Sequence, residues 1–220
     1  MTFPKLREPF NALSHMAGAV ASIVGLTLLV VFAALKADVW HVVSFAIFGT
    51  TLVLMYTSST LYHGLRLSEK GIAVMQKIDH ITIFMLIAGT YTPFCLVPLG
   101  GPWGWSLLII AWSIALAGVF LKLFCLNVPR WISTAIYLIM GWIFVVAVYP
   151  LVMALNLSSL IWLVLGGLFY SGGAAIYSLK RRDPWPGTFG FHGIWHMFVL
   201  SGSFCHFWAV FCFFNLTTIT

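Results

Sequence analysis

The chain has 220 residues, of which 61% are hydrophobic and only 7% are charged. A soluble domain carries about 25% charged residues, so this composition excludes an ordinary soluble fold and predicts a surface that mostly faces lipid. The net charge of +6 would suggest a nucleic-acid partner in a soluble protein. Here the basic residues lie in short loops between apolar runs, so we expect no nucleic-acid partner and read the charges as a membrane orientation signal.

Seven segments have the roughly 20 apolar residues that a membrane-spanning helix requires. In chain order they are Leu13–Leu35, Trp40–Tyr62, Asp79–Val97, Trp103–Phe124, Trp131–Pro150, Leu157–Tyr177 and His192–Phe214. The predicted fold class is therefore an all-α integral membrane protein, a bundle of seven transmembrane helices. We expect a single transmembrane domain over residues 1–220, with a short N-terminal tail of about residues 1–12.

The distribution of Lys and Arg predicts the orientation of this bundle. If the odd-numbered spans run outward, every basic residue except Lys36 falls on one side of the membrane. The residues on that side are Lys5, Arg7, Arg66, Lys70, Lys77, Lys122, Arg130, Lys180, Arg181 and Arg182. The positive-inside rule then predicts a cytoplasmic N-terminus and a C-terminus outside.

Asp79 is the one acidic residue that falls at the start of a predicted span. A carboxylate at the membrane boundary is costly, which favours a functional role. The alternative is an ordinary acidic residue in the first turn of a helix, where the macrodipole favours a negative charge.

His192 and His196 open the seventh span with the spacing His-x-x-x-His. Residues at i and i+4 share one helix face about one turn apart, so both imidazoles can reach one metal ion. The alternative is two histidines that form hydrogen bonds inside the bundle.

Ser59 and His63 have the same spacing at the end of the second span, where a lone histidine could also serve to complement the helix dipole. The predicted orientation places Ser59, His63, Asp79, His192 and His196 at one membrane level, near the cytoplasmic face. Three histidines with an open fourth position are typical of a catalytic zinc site. Asp79 would accept a proton from water there, and Ser59 would hydrogen-bond that water or a developing oxyanion.

The other histidines fit this site less well. His15 begins the first span at the right level and is a candidate for a supporting contact to the metal ligands. His80 points about 100° away from Asp79. His206 lies about 15 Å along the helix from His196, so we expect it to pack or hydrogen-bond in the interior. His41 is expected at the opposite interface.

The order and spacing of these blocks resemble the hemolysin III family, within the superfamily of progestin and adipoQ receptors that includes the adiponectin receptors. The resemblance runs from Asn11–His15 to the end of the seventh span. Its most specific stretches are Ser58–His63, Asp79-His80 with Ala88–Pro93, His192–His196, and Cys205–Phe207.

The resemblance implies a zinc ion on His63, His192 and His196, a water held by Asp79, and Ser59 nearby. It also implies a seven-helix bundle with a cytoplasmic N-terminus. Because only about a dozen residues precede the first span, whereas the adiponectin receptors have a long soluble region there, hormone-receptor function does not transfer.

Three functions remain open at this stage. The first is a zinc-dependent, ceramidase-like hydrolase of amide or ester bonds in membrane lipids, which would contribute to lipid homeostasis. The second is a non-enzymatic membrane sensor or regulator with a structural zinc, and the third is a channel or transporter. Direct cytolysis, suggested by the haemolysin label, ranks below these. Membrane lipids are the expected partners, a bacterial inner membrane is the expected location, and the oligomeric state is left open.

Overall fold

The computed structural model of the chain describes residues 6–124, 128–179, 185 and 189–217. Lys5, Lys180, Arg181 and Arg182, which entered the orientation argument, lie outside these residues. Eight α-helices occur in the described part: α1 Pro9–Lys36, α2 Val39–Gly64, α3 Glu69–Phe94, α4 Gly101–Phe124, α5 Arg130–Trp142, α6 Val148–Ala154, α7 Leu157–Leu179 and α8 Phe191–Thr217. A π-helical turn, Cys95–Leu99, follows α3, and a 3-10 segment, Ile143–Ala147, joins α5 to α6.

These helices form seven segments long and apolar enough to cross a membrane, because α5, the 3-10 segment and α6 together make one span. Large apolar side chains cover the outside of the bundle; Leu35, Val146 and Tyr149 are each about three-quarters exposed. Soluble monomeric proteins rarely expose so large a continuous apolar surface. The predicted seven-helix membrane bundle is thus confirmed.

The third span begins earlier than the apolar pattern predicts. Helix α3 starts at Glu69, ten residues before Asp79, because the Ser68 side chain caps it by accepting a hydrogen bond from the Gly71 amide at 3.3 Å. Because the first part of α3 contains polar residues, the apolar pattern alone does not predict that the helix extends over them. Asp79 therefore lies well inside the helix, and the interpretation of Asp79 as a first-turn residue is wrong.

The fifth span is interrupted, although the sequence predicts one continuous helix. Pro150 has no amide hydrogen to donate to the carbonyl of residue 146, and its ring crowds the preceding turn. Tyr91 of α3 satisfies backbone groups around the break. Its hydroxyl donates to the carbonyls of Met140 (2.8 Å) and Gly141 (3.1 Å) and accepts from the Phe144 amide (3.1 Å).

Helix packing brings the ends of four helices together. Helix α1 packs along α2, α2 along α3, and α7 along α8, while both α1 and α3 also contact α8. The interior contains buried aromatic side chains such as Phe45, Phe48 and Phe84. Consequently, the start of α1, the end of α2, the first half of α3 and the start of α8 surround one region of the bundle.

Candidate metal centre

His63, His192 and His196 form a compact triangle in that region. His63 comes from the last turn of α2, and the other two come from the first two turns of α8. The ring centroids are 4.8 Å apart for His63 and His192, 4.8 Å for His63 and His196, and 4.9 Å for His192 and His196. One nitrogen of each ring lies within 4.8 Å of the other two, so the three residues can hold one metal ion.

The donor set fits a zinc ion. Imidazole nitrogen is a common zinc ligand, and three histidines leave a position open for water or substrate. His63 is 1% exposed, and its Nε2 atom has no hydrogen-bond partner among the described residues. A buried polar atom without a partner is unfavourable, and coordination of a metal by Nε2 would remove that cost.

Asp79 and Ser59 lie next to the triangle, on α3 and α2. Both side chains are buried, the Asp79 carboxylate accepts a hydrogen bond from the Ser59 hydroxyl, and it lies near His63. The structure therefore brings together all five residues that the sequence suggests for the site. The Asp79 carboxylate can accept a proton beside the three histidines, and the Ser59 hydroxyl can orient this carboxylate.

The start of the chain forms the remaining wall. Glu8 immediately precedes α1, and its Oε2 atom lies 2.8 Å from Nδ1 of His63. Ser14 Oγ lies 3.4 Å from Nδ1 of His196, and the His15 ring stacks on the His196 ring at a centroid distance of 3.6 Å. The His15 ring thus contacts a candidate metal ligand, and a supporting role for His15 stays a prediction.

Glu8 is ionised at neutral pH. Partial burial acts to raise the pKa of its carboxyl group, but hydrogen bonds with His63 and Asn11 and the charge of Arg7 outweigh burial and lower the pKa to about 2. A carboxylate that accepts several hydrogen bonds is stabilised in its charged form. The site therefore contains a fixed negative charge from the segment that precedes α1.

A cavity of about 590 Å³ opens from this centre into the bundle. Ser59, Asp79, His192 and His196 line its polar part. Most of the remaining wall is apolar and includes Leu86, Phe94, Leu107, Leu151 and Leu163. A cavity with titratable side chains and a largely apolar wall suits a molecule with a reactive group and a hydrocarbon chain.

The other histidines lie outside the triangle. His206 is buried, its Nε2 atom lies 3.2 Å from the Leu163 carbonyl oxygen, and it packs against Gly166, as expected for an interior residue. His80 lines the cavity without joining the three ligands. His41 lies at the other end of α2, where its Nδ1 atom is 2.8 Å from Asp38.

Two residues of the site region are absent from the site that the sequence predicts. Glu8 falls in the predicted N-terminal tail, but Glu8, Asn11 and His15 have the i, i+3, i+7 spacing of one helix face, and this spacing indicates an inward-facing polar stripe. In the sequence, Lys122 is one of the basic residues that predict the membrane orientation, and nothing there indicates a cavity. It is 9% exposed and lines the cavity.

Comparison with known proteins gives consistent matches over almost the whole chain. A family model described as "Haemolysin-III related" matches residues 3–207. The chain is 43% identical over 203 residues to a hemolysin-3 homolog of Bacillus subtilis (strain 168), with 92% of each chain covered. It is 40% identical over 203 residues to hemolysin-3 of Bacillus cereus, covering 92% of this chain and 90% of the relative. It is 24% identical over 204 residues to the human monocyte to macrophage differentiation factor, covering 91% and 81% respectively.

Proposed function

We propose that this chain, which belongs to the haemolysin-III-related family of membrane proteins, is a zinc-dependent hydrolase of amide or ester bonds in membrane lipids. The observation that carries the proposal is that Ser59, Asp79, His192 and His196 line a largely apolar cavity, and that His63 completes the three-histidine cluster beside them. A buried ligand set, a proton acceptor and a space for hydrocarbon thus occur together.

In this proposal, His63, His192 and His196 hold zinc, which when bound supplies a Lewis acid for the scissile carbonyl and acidifies water. Asp79 acts as the general base and takes a proton from the attacking water. The Ser59 hydroxyl donates its single hydrogen bond to the Asp79 carboxylate and so keeps that carboxylate oriented toward the water. Water adds to the acyl carbon, the bond to nitrogen or oxygen breaks, and Asp79 returns its proton to the leaving group.

The apolar part of the cavity supports a lipid substrate. An acyl chain would lie against leucine and phenylalanine side chains, where its burial is favourable by about 0.8 kcal/mol per CH₂. The excess of Lys and Arg on one side of the sequence supports a cytoplasmic N-terminus. Because Glu8 and the three histidines lie where α1 begins, the reaction would take place near the cytoplasmic face.

The second candidate is a membrane sensor or regulator in which the metal has a structural role. The ligands come from α2 and α8, which lie far apart in the sequence, so a bound ion would tie these two helices together. In that case, removal of the metal would rearrange the bundle, and Asp79 would be dispensable.

The experiment compares purified wild-type protein with Asp79→Ala and His192→Ala, using a panel of lipid amides and esters. A hydrolase releases fatty acid only when zinc-loaded, and both variants lose this activity while Asp79→Ala still binds zinc. If zinc-loaded wild type cleaves nothing in the panel and Asp79→Ala keeps its cellular function, the sensor reading is favoured instead.

A further inference from the structure

The segment before α1 is fixed against the end of α2 by its backbone. The Glu8 amide donates to the His63 carbonyl at 2.9 Å, and the Arg7 amide donates to the Gly64 carbonyl at 3.2 Å. Glu8 is therefore held beside His63 independently of its side chain.

Both carboxylate oxygens of Glu8 have partners. Oε2 lies 2.8 Å from Nδ1 of His63. It also accepts a hydrogen bond from the side-chain nitrogen Nδ2 of Asn11 at 2.8 Å. Oε1 lies 3.1 Å from the Arg7 guanidinium, which itself lies over the Tyr62 ring at 4.5 Å. These contacts restrict the carboxylate to one orientation, facing the imidazole.

We infer that Glu8 is a positioning residue that sets the tautomer and the ring orientation of His63 for metal binding. An ionised carboxylate can only accept a hydrogen bond, so Nδ1 of His63 carries the proton and Nε2 keeps its lone pair. Nε2 is buried without a partner among the described residues, on a ring that faces His192 and His196. A carboxylate behind a ligating histidine fixes its orientation and raises its basicity.

This inference rests on the proposed metal site and does not require hydrolysis. The experiment therefore measures zinc affinity without any lipid substrate, by competition with a chelator, in wild type, Glu8→Ala and Glu8→Gln. We expect Glu8→Ala to bind zinc about 10–100-fold more weakly. Glu8→Gln should lie between it and wild type, since its amide oxygen still accepts the hydrogen bond. Asp38→Asn is the matched control, because Asp38 makes a 2.8 Å contact with Nδ1 of His41 at the other end of the bundle.

A second readout separates positioning from a general loss of structure. In metal-free protein labelled with ¹⁵N-histidine, the His63 signals, identified by their loss in His63→Ala, should show a proton on Nδ1. In Glu8→Ala the proton should redistribute toward Nε2. Unchanged zinc affinity in a folded Glu8→Ala protein, or a wild-type His63 protonated on Nε2, would overturn the inference. If Glu8→Ala does not fold, the same two measurements on Glu8→Met decide, because methionine keeps the length of the side chain and removes the carboxylate. Zinc binding without lipid cleavage would count against the proposed hydrolase only.

A separate observation concerns Lys122, in the last turn of α4. Its side chain is 9% exposed, and its ammonium group donates to Ser133 Oγ at 2.6 Å. No carboxylate of the described residues pairs with it within 4.0 Å, as the ion pairs in this part of the chain involve Glu8 and Asp38. Lys122 lines the same cavity as Asp79, together with Lys77 and Arg130.

A lysine near the end of a membrane helix normally extends its ammonium group to water. Here the ammonium group has one neutral hydroxyl as its hydrogen-bond partner and faces a cavity, and an anion in that cavity would compensate its charge. We infer that Lys122 binds the anionic group of a lipid in the cavity, a carboxylate or a phosphate. This deepens the proposed function by naming the class of lipid.

The experiment measures binding, so its outcome is independent of catalysis. Palmitate, hexadecyl phosphate and hexadecanol, which share one hydrocarbon chain, compete with a fluorescent fatty acid for zinc-stripped protein. We expect Lys122→Met to weaken binding of the anionic lipids about tenfold or more and to leave hexadecanol unchanged. If Lys122→Met weakens palmitate binding more than hexadecyl phosphate binding, the preferred group is a carboxylate. The reverse order identifies a phosphate. Lys70→Met, in the exposed first turn of α3, is the control.

Equal binding of hexadecanol and the anionic lipids to wild type would overturn this second inference, as would anion binding that Lys122→Met leaves unchanged. Lys122→Gln replaces the ammonium by a neutral polar group and gives the same test if the methionine variant does not fold. If wild type binds neither palmitate nor hexadecyl phosphate but still hydrolyses neutral lipids when zinc-loaded, the anionic class is rejected and the proposed hydrolase is retained.

Discussion

The contact between α2 and α3 at Gly89 gives a sharp test of the packing that positions His63 and Asp79. A Cβ atom at Gly89 would lie 2.9 Å from both Cβ and Cγ2 of Thr51 and would overlap its hydroxyl. Thr51 cannot easily move, because it is β-branched and buried and its hydroxyl donates to the Phe48 carbonyl at 2.8 Å. Gly89→Ala should therefore force the two helices apart.

The expected loss follows from two opposing effects. Overpacking of a tight core typically costs about 1–3 kcal/mol, and replacing glycine by alanine in a helix regains up to about 1 kcal/mol. Because the added Cβ overlaps the Thr51 hydroxyl, we take the upper part of that cost, about 2–3 kcal/mol, which leaves a net destabilisation of about 1–2 kcal/mol after about 1 kcal/mol is regained. At about 2–4 °C per kcal/mol for a chain of this size, the thermal midpoint should fall by about 2–8 °C.

The assay is thermal unfolding of the detergent-solubilised protein. Gly141→Ala is the matched control, because no atom lies within 4 Å of the added Cβ at that position. It should keep or raise the midpoint through helix propensity alone. If Gly89→Ala also unfolds at or above the wild-type temperature, the close approach of α2 and α3 at Thr51 is incorrect.

Three further outcomes are expected. Asp79→Asn should abolish lipid hydrolysis while zinc content, measured by elemental analysis, stays at the wild-type value; activity near wild type would remove Asp79 from the reaction. His206→Ala should keep its zinc but unfold at a lower temperature, because it loses the contact with the Leu163 carbonyl and leaves a cavity beside Gly166; zinc loss would place His206 at the metal. Tyr56→Phe should destabilise the protein by about 1 kcal/mol, since the buried Tyr56 hydroxyl donates to Ser203 Oγ at 2.8 Å, and an unchanged unfolding temperature would show that this bond contributes nothing.

Much of this fold can be predicted because membrane helices must be long and apolar. The sixth span, for example, starts at Leu157 both in the prediction and in the structure. The prediction fails where helices continue beyond the apolar region. Helix α3 begins at Glu69, and its first turns read as a polar loop until the Ser68 cap is taken into account.

The three histidines could be grouped from sequence because orientation assigns each span end to one side of the membrane. That the three histidines contact one another could not be predicted, because the sequence does not show which spans are neighbours in space. The contact between Glu8 and His63 could not be predicted for the same reason: the spacing of Glu8, Asn11 and His15 indicates a shared helix face, but not that this face packs against the end of α2. Lys122 was missed because a charge count cannot distinguish a lysine that extends to water from one that faces a cavity.

Elemental analysis of purified wild type beside His196→Ala tests the central claim most directly. Wild type should contain about one zinc per chain, and His196→Ala, which loses one of three ligands, should contain little or none. His206→Ala, treated identically, controls for the loss of a buried histidine from the same helix. Wild type without zinc after purification in zinc-containing buffer, or His196→Ala with a full complement of metal, would contradict the three-histidine centre.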